Sequence, residues 1–227
     1  MVKQTFRRHK RSEKLIFLKA LMKSPLRTGA IIPSSVALGG FICRHVPLRE
    51  PGFVVEVGAG TGRLTKSLLS TGINREQLFV VEYEKDLCRF LRQTLPGVNV
   101  IHGNALNLGD ILPPEVIGQA HTIISGIPLM NFSDKEKGRL VQACMGVLKP
   151  TGQLLQFTYG LLSPLNSARC GLTKERLGAV FNNMPPAVVW RYRRDEACIP
   201  IIVSARTFEE HFTAAFDKIR KKMLNKF

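Results

Sequence analysis

Nine residues constrain this chain more than any others: Val54-Val55-Glu56-Val57-Gly58-Ala59-Gly60-Thr61-Gly62. A short β-prone run ends in three glycines at every second position, and Gly62–Leu69 then carries apolar residues at helical spacing. This pattern predicts a buried strand, a tight turn and the start of a helix. Glycines let the backbone approach a ligand closely, and the unpaired N–H groups of a helix start face it. The spacing is G-x-G-x-G. A dinucleotide fingerprint wants its third glycine one residue later, where Arg63 stands.

The same alternation runs on down the chain. Strands are expected at Phe53–Val57, Leu78–Glu82, Val98–His102, His121–Ser125 and Gly152–Tyr159. Helices are expected at Gly62–Leu69, Glu84–Leu95 and Lys135–Leu148, with Leu87, Leu91 and Leu95 marking one apolar face. Short buried strands alternating with helices imply an α/β fold, with a mostly parallel sheet covered on both faces. Ala187–Tyr192 and Cys198–Val203 then read as an antiparallel edge pair. Ser34 and Ser35 are expected to cap a helix running through Cys43. Thr207 and Glu210 form a T-x-x-E capping box ahead of a stripe at Phe208, Phe212, Ala215, Phe216, Ile219 and Met223. That helix packs on the sheet or lies in a lipid interface, and the sequence favours packing. At 227 residues the chain is expected to be one domain, 31–227, preceded by an arm, 1–30.

Charge bears on the partner. Thirty-three Lys and Arg stand against seventeen Asp and Glu, a net charge of +16. Residues 1–27 hold nine of the cations and one acid, Glu13. Such an arm is either a solvated tail or a device that docks on an anionic surface, nucleic acid or acidic lipid. Five cysteines, at 43, 88, 144, 170 and 198, show neither a C-x-x-C pair nor zinc-like spacing with histidine, so no metal is expected and the thiols read as free. Leu15–Met22 is too short and too charged for a secretory signal, and no apolar run reaches bilayer length. A cytoplasmic protein is expected, free or held peripherally on a membrane.

Glu82 ends the second expected strand, twenty residues past Gly62, where a carboxylate is placed to bind both hydroxyls of a ribose. The motif E-x-G-x-G-x-G followed by such an acid resembles class I S-adenosylmethionine-dependent methyltransferases, across roughly residues 30–205. The resemblance implies a Rossmann-like sheet of seven strands and S-adenosylmethionine as cofactor. It places Glu56, Gly58, Ala59, Gly60, Thr61 and Gly62 around the amino-acid half of that cofactor, Glu82 on the ribose and Tyr83 on the adenine. Where the family usually has Gly-Asp-Ala, this chain has Gly103-Asn104-Ala105, so Asn104 would meet the adenine amine through its amide oxygen, beside Ala105.

The reacting methyl is expected at the end of the fourth strand, in Ser125-Gly126-Ile127-Pro128-Leu129-Met130-Asn131-Phe132. Amino-methylating relatives that act on bases carry a stacking aromatic where Leu129 stands, which argues against a nucleobase. The longer pattern resembles the soluble bacterial phospholipid N-methyltransferases. It comprises Thr28–Ser35, the glycine motif, Val81-Glu82-Tyr83, the Ser125 block, Gln156-Phe157-Thr158-Tyr159, and Asn183-Met184-Pro185-Pro186-Ala187-Val188-Val189-Trp190-Arg191-Tyr192.

That resemblance implies methylation of phosphatidylethanolamine toward phosphatidylcholine. Ser125 and Pro128 would frame the acceptor, carbonyls of Gly126–Pro128 would accept from the amine, and Tyr159 would take a proton or orient it. Arg191, Arg193 and Arg194 would bind the lipid phosphate. Anionic lipids are the expected partner, a monomer the expected state, and DNA is not expected. An RNA methyltransferase is the alternative, and a cofactor-binding protein without turnover is a third.

Overall fold

The computed structural model describes residues 36–183 and 185–195. The arm at 1–30, the expected cap at 34–35, the strand expected at 198–203 and the helix expected at 207–223 lie outside the described residues. The described elements belong to a unit ending at Arg194.

Five parallel strands come first: β1 (Phe53–Val57), β2 (Leu78–Glu82), β3 (Asn99–His102), β4 (Ala120–Ser125) and β5 (Leu148–Thr158). With β6 (Leu172–Val180) and β7 (Ala187–Arg194) they make one seven-stranded sheet, ordered β3-β2-β1-β4-β5-β7-β6. Only β7 runs antiparallel to its neighbours. The sheet is therefore the expected fold, with the bounds of β1 and β2 as read from the sequence.

The edge pair differs in its members. Ala187–Arg194 pairs with Leu172–Val180, which precedes it in the chain. β6 escapes pattern reading because Thr173, Lys174, Glu175 and Arg176 are all exposed. An edge strand tolerates charge on its open side, and charge there discourages pairing with another chain.

Side chains alternate along each strand, so two cores form. Val54, Val80, Ile124 and Leu155 face helices α1 (Val36–Cys43), α2 (Arg63–Ser70) and α3 (Lys85–Thr94). Val55, Val81, Ile123 and Leu154 face the short α4 (Leu108–Ile111) and α5 (Asp134–Val147). Both faces are thus covered, as a parallel sheet requires. A capping box fixes the start of α5: the Glu136 N–H donates to Ser133 Oγ, and the Ser133 N–H to Glu136 Oε2. No helix among the described residues is long and apolar enough to cross a membrane.

Candidate active site

Strand order runs outward in opposite directions from β1 and β4, leaving a crevice beyond their carboxyl ends. The Gly58 N–H donates to the Val81 carbonyl and the Gly126 N–H to the Val57 carbonyl, each at 2.9 Å. The loops after β1 and β4 therefore leave the sheet side by side, and they touch. A Cβ on Gly126 would lie 2.7 Å from the Gly58 carbonyl oxygen. A Cβ on Gly58, whose φ is +73°, would meet Ile127 at 2.9 Å.

Backbone gives way less readily than a side chain. Gly126→Ala is expected to cost about 1–3 kcal/mol as the two loops are forced apart. Thermal denaturation reads this as a melting temperature lower by several degrees, and an unchanged value would show that the contact is not tight.

Within the glycine turn, α2 starts at Gly62 with no side chain capping its first turn. Its leading N–H groups and the positive end of the helix dipole are left open at the carboxyl edge. Glu56 stands behind the turn, 2% exposed, and accepts a 2.6 Å hydrogen bond from Thr65 Oγ1 of α2. Burial pushes its carboxyl up to about 8, and the charge of Glu82 adds to the rise. Glu82, also buried, accepts from the Gly60 N–H at 2.8 Å and the Glu84 N–H at 3.0 Å. Those bonds tie the glycine turn to the end of β2. Tyr83 beside it is exposed.

Asn104 is tied to its own backbone. Its Oδ1 accepts from the Leu106 N–H at 2.9 Å, closing a short turn over Ala105, which is buried. One lone pair of Oδ1 and the NH2 group are then left for a ligand, so a base could be met by an acceptor or a donor.

The loop after β4 is held from below. Ser125 is fully buried and its Oγ accepts from the Ile127 N–H at 3.4 Å, while Pro128 is exposed. The Ile127 carbonyl accepts from Gln156 Nε2 at 3.1 Å, and the Pro128 carbonyl from the Asn131 N–H at 3.3 Å. Gly126 keeps the carbonyl without such a donor among the described residues. Leu129 is 2% exposed and packs in the core beneath the loop, and Met130 takes the outward place.

The sequence pattern assigns no role to Gln156. Its signal was a polar residue inside the apolar run Leu154-Leu155-Gln156-Phe157. Buried, it clamps Ile127 with one end while its Oε1 has no partner, as does Nε1 of the directly paired Trp190.

Tyr159 follows β5, 37% exposed, with its ring edge-on to Phe157. Burial raises its phenol above 10, a hydrogen bond to Asn183 acting the other way. It therefore stays protonated at neutral pH and is no base, though its oxygen remains an acceptor. Burial also pushes the thiols of Cys43 and Cys144 up, to about 11 and about 12. Neither is a nucleophile.

Residues 54–152 match a family model described as a methyltransferase domain. The ornithine lipid N-methyltransferase of Singulisphaera acidiphila is 30% identical over 146 residues, covering 63% of this chain and 76% of that protein. The chain belongs to the class I S-adenosylmethionine-dependent methyltransferases. This methyltransferase is also similar to ribosomal RNA small subunit methyltransferase A. The Nitrosomonas europaea protein is 27% identical over 198 residues, 80% of this chain and 74% of that one. The Synechococcus protein is 36% identical over 85 residues, 36% of this chain, and the match spans only 27% of its length.

Solved structures agree on the fold. TrmN from Thermus thermophilus has a TM-score of 0.57 at 14% identity, over 75% of this chain and 52% of that one. A TehB-like S-adenosylmethionine-dependent methyltransferase from Corynebacterium glutamicum has 0.54 at 12% identity, over 81% and 98%.

The site of the methyltransferase fits its cofactor. The turn after β1 is built on three glycines of positive φ, the start of α2 is uncapped, and Glu82 and exposed Tyr83 stand where ribose and base would lie.

The three arginines do not come together at this site. On β7, Arg191 lies opposite Leu155 and points with Arg193 to one face, while Arg194 points to the other. Arg191 pairs with Glu175 at 2.8 Å. Arg194 donates to the carbonyls of Met145, Leu148 and Lys149, holding the end of α5. Arg193 is exposed and, with Arg191, lines a cleft of about 270 Å³ that also holds Arg44, His45 and His121. That cleft opens toward the amino ends of the parallel strands. It is at the wrong edge for a phosphate whose amine must reach Gly126.

Proposed function

We propose that this methyltransferase transfers the methyl of S-adenosylmethionine to the amine of phosphatidylethanolamine, or its partly methylated forms, at a membrane surface. The observation that carries the reading is the loop after β4. Its Leu129 is buried where a base-stacking ring would stand, and the Gly126 carbonyl takes no backbone hydrogen bond among the described residues. The match to a protein named for lipid N-methylation supports it.

The bound cofactor supplies a methyl carbon made electrophilic by its sulfonium. The chain positions the attacking nitrogen: Gly126 O and Tyr159 Oη accept its N–H bonds, and Gln156 keeps the loop at its height. The amine must be neutral to attack, so its lone pair is aligned with the methyl–sulfur bond once the ammonium proton has passed to water. Positioning of this kind supplies much of the acceleration in a one-step transfer.

RNA is the second reading, favoured by the long match to ribosomal RNA methyltransferases. Incubation with labelled S-adenosylmethionine and either phosphatidylethanolamine vesicles or total RNA separates the two. Label in the lipid fraction is expected, and label in RNA alone would reject the lipid assignment.

A further inference from the structure

Eight large apolar residues stand exposed among the described residues, and six of them follow the carboxyl ends of strands: Tyr83, Met130, Tyr159, Leu161, Leu162 and Phe181. Tyr83 follows β2 and Met130 lies in the loop after β4. Tyr159, Leu161 and Leu162 follow β5, and Phe181 follows β6. Since β6 runs parallel to β5 and Val180 pairs with Ala187, next to the Thr158–Val188 pair, Phe181 comes out at the same edge as Tyr159, with β7 between their strands. Leu161 and Leu162 are 78% and 83% exposed, Phe181 78% and Met130 69%. Scattered apolar residues on a surface need no explanation, but a group gathered on one rim does.

From this we infer that the rim formed by Met130, Leu161, Leu162 and Phe181 is the face that enters the interface of an anionic bilayer, with the acceptor crevice opening into the same plane. The inference rests on the lipid reading above, and it names the residues that make the contact. Charge complementarity selects the bilayer as occupant. The chain enters the described domain at Val36, itself exposed, and α1 then leads away from the rim. At its far end the His45 carbonyl accepts from Gln153 Nε2, near the amino end of β4. Nine cations stand in residues 1–27, ahead of that entry point in the chain. Lys and Arg near an anionic leaflet draw the chain down, and apolar side chains that reach the acyl boundary hold it. A lipid amine lies at headgroup depth, so a crevice pressed against the headgroups receives it without lifting the lipid out of the bilayer.

The test is flotation of the full chain with vesicles of phosphatidylethanolamine and phosphatidylglycerol, comparing wild type, L161S/L162S and L48S. Leu48 is exposed too, but it lies past α1, near the Glu50–Lys149 ion pair at the start of β5. L161S/L162S is expected to lower partitioning roughly tenfold, the loss of two inserted leucines, with S-adenosylmethionine affinity unchanged. L48S is expected to partition as wild type does. If L161S/L162S floats like wild type, the rim is not the docking face. If the wild type is a dimer that L161S/L162S dissociates, the rim is an interface between copies and the inference falls. Methyl transfer to the vesicles is measured separately. Loss of partitioning in the variant, with no lipid label in wild type, would keep the docking face and reject the acceptor.

Discussion

Replacing Glu82 with alanine is expected to weaken S-adenosylmethionine binding about a hundredfold. The buried carboxylate uses two of its roughly four acceptor positions on the Gly60 and Glu84 N–H groups. The other two suit a pair of ribose hydroxyls. Hydrogen bonds to a charged group contribute about 1.5–3 kcal/mol each, and losing both gives at least that hundredfold. The same substitution orphans the buried Gly60 donor, so it lowers stability as well, by about 1–3 kcal/mol, while the N–H of exposed Glu84 can turn to water. Calorimetric titration and thermal denaturation of one preparation separate the effects. A lower melting temperature with unchanged affinity would make Glu82 a brace for the glycine turn and nothing more.

Glu56→Gln is expected to change how stability depends on pH. Burial holds the Glu56 carboxyl near 8, against 4.5 for the free group. Between those values the native protein keeps a proton that the unfolded chain has released. The contribution of Glu56 to stability is therefore fullest below about pH 4.5, falls as pH rises through the window, and levels off above about 8. Glutamine has the same shape, still accepts from Thr65, and never ionises. At pH 5 the variant should match wild type closely. At pH 9 it should be more stable by a few kcal/mol, raising the melting temperature by about 10 °C. A wild-type melting temperature that does not fall between pH 5 and 9 would show that Glu56 is charged in the fold. A weaker affinity for S-adenosylmethionine in the variant would place the carboxyl near the cofactor's ammonium.

These two carboxylates were visible in the sequence because the reasons for their positions are local. Glu56 sits inside the strand that feeds the glycine turn, and Glu82 ends the next strand, so a few φ/ψ choices and the pitch of one helix place both. The bounds of β1 and β2 follow from the same logic, since β-prone residues buried on both faces leave an unbroken apolar run. β6 left no such run. Lys174, Glu175 and Arg176 sit on an open edge, where the sheet puts no constraint on the outward side chains.

The arginines show where local reading stopped. Taking the seventh strand to end at Tyr192 left Arg193 and Arg194 as a loose cluster with Arg191. The strand runs on to Arg194, and its alternation sends neighbouring side chains to opposite faces. Its antiparallel direction then carries Arg193 and Arg194 toward the amino ends of the parallel strands, while Arg191 stays level with Leu155 and pairs with Glu175. Neither the direction nor the partner of a strand is written within it.

By itself, then, the sequence determined the strand–glycine–helix turn, the carboxylate twenty residues beyond it and the absence of a stacking ring at Leu129. Each depends on residues close together in the chain. The tertiary structure alone decided that Gln156 clamps Ile127 from the neighbouring strand and that Asn104 is tied to its own backbone. It also decided that exposed leucines, a methionine and a phenylalanine from three separate loops share one rim. Those facts depend on which strands lie side by side, and the burial of two cores over the whole sheet sets that order.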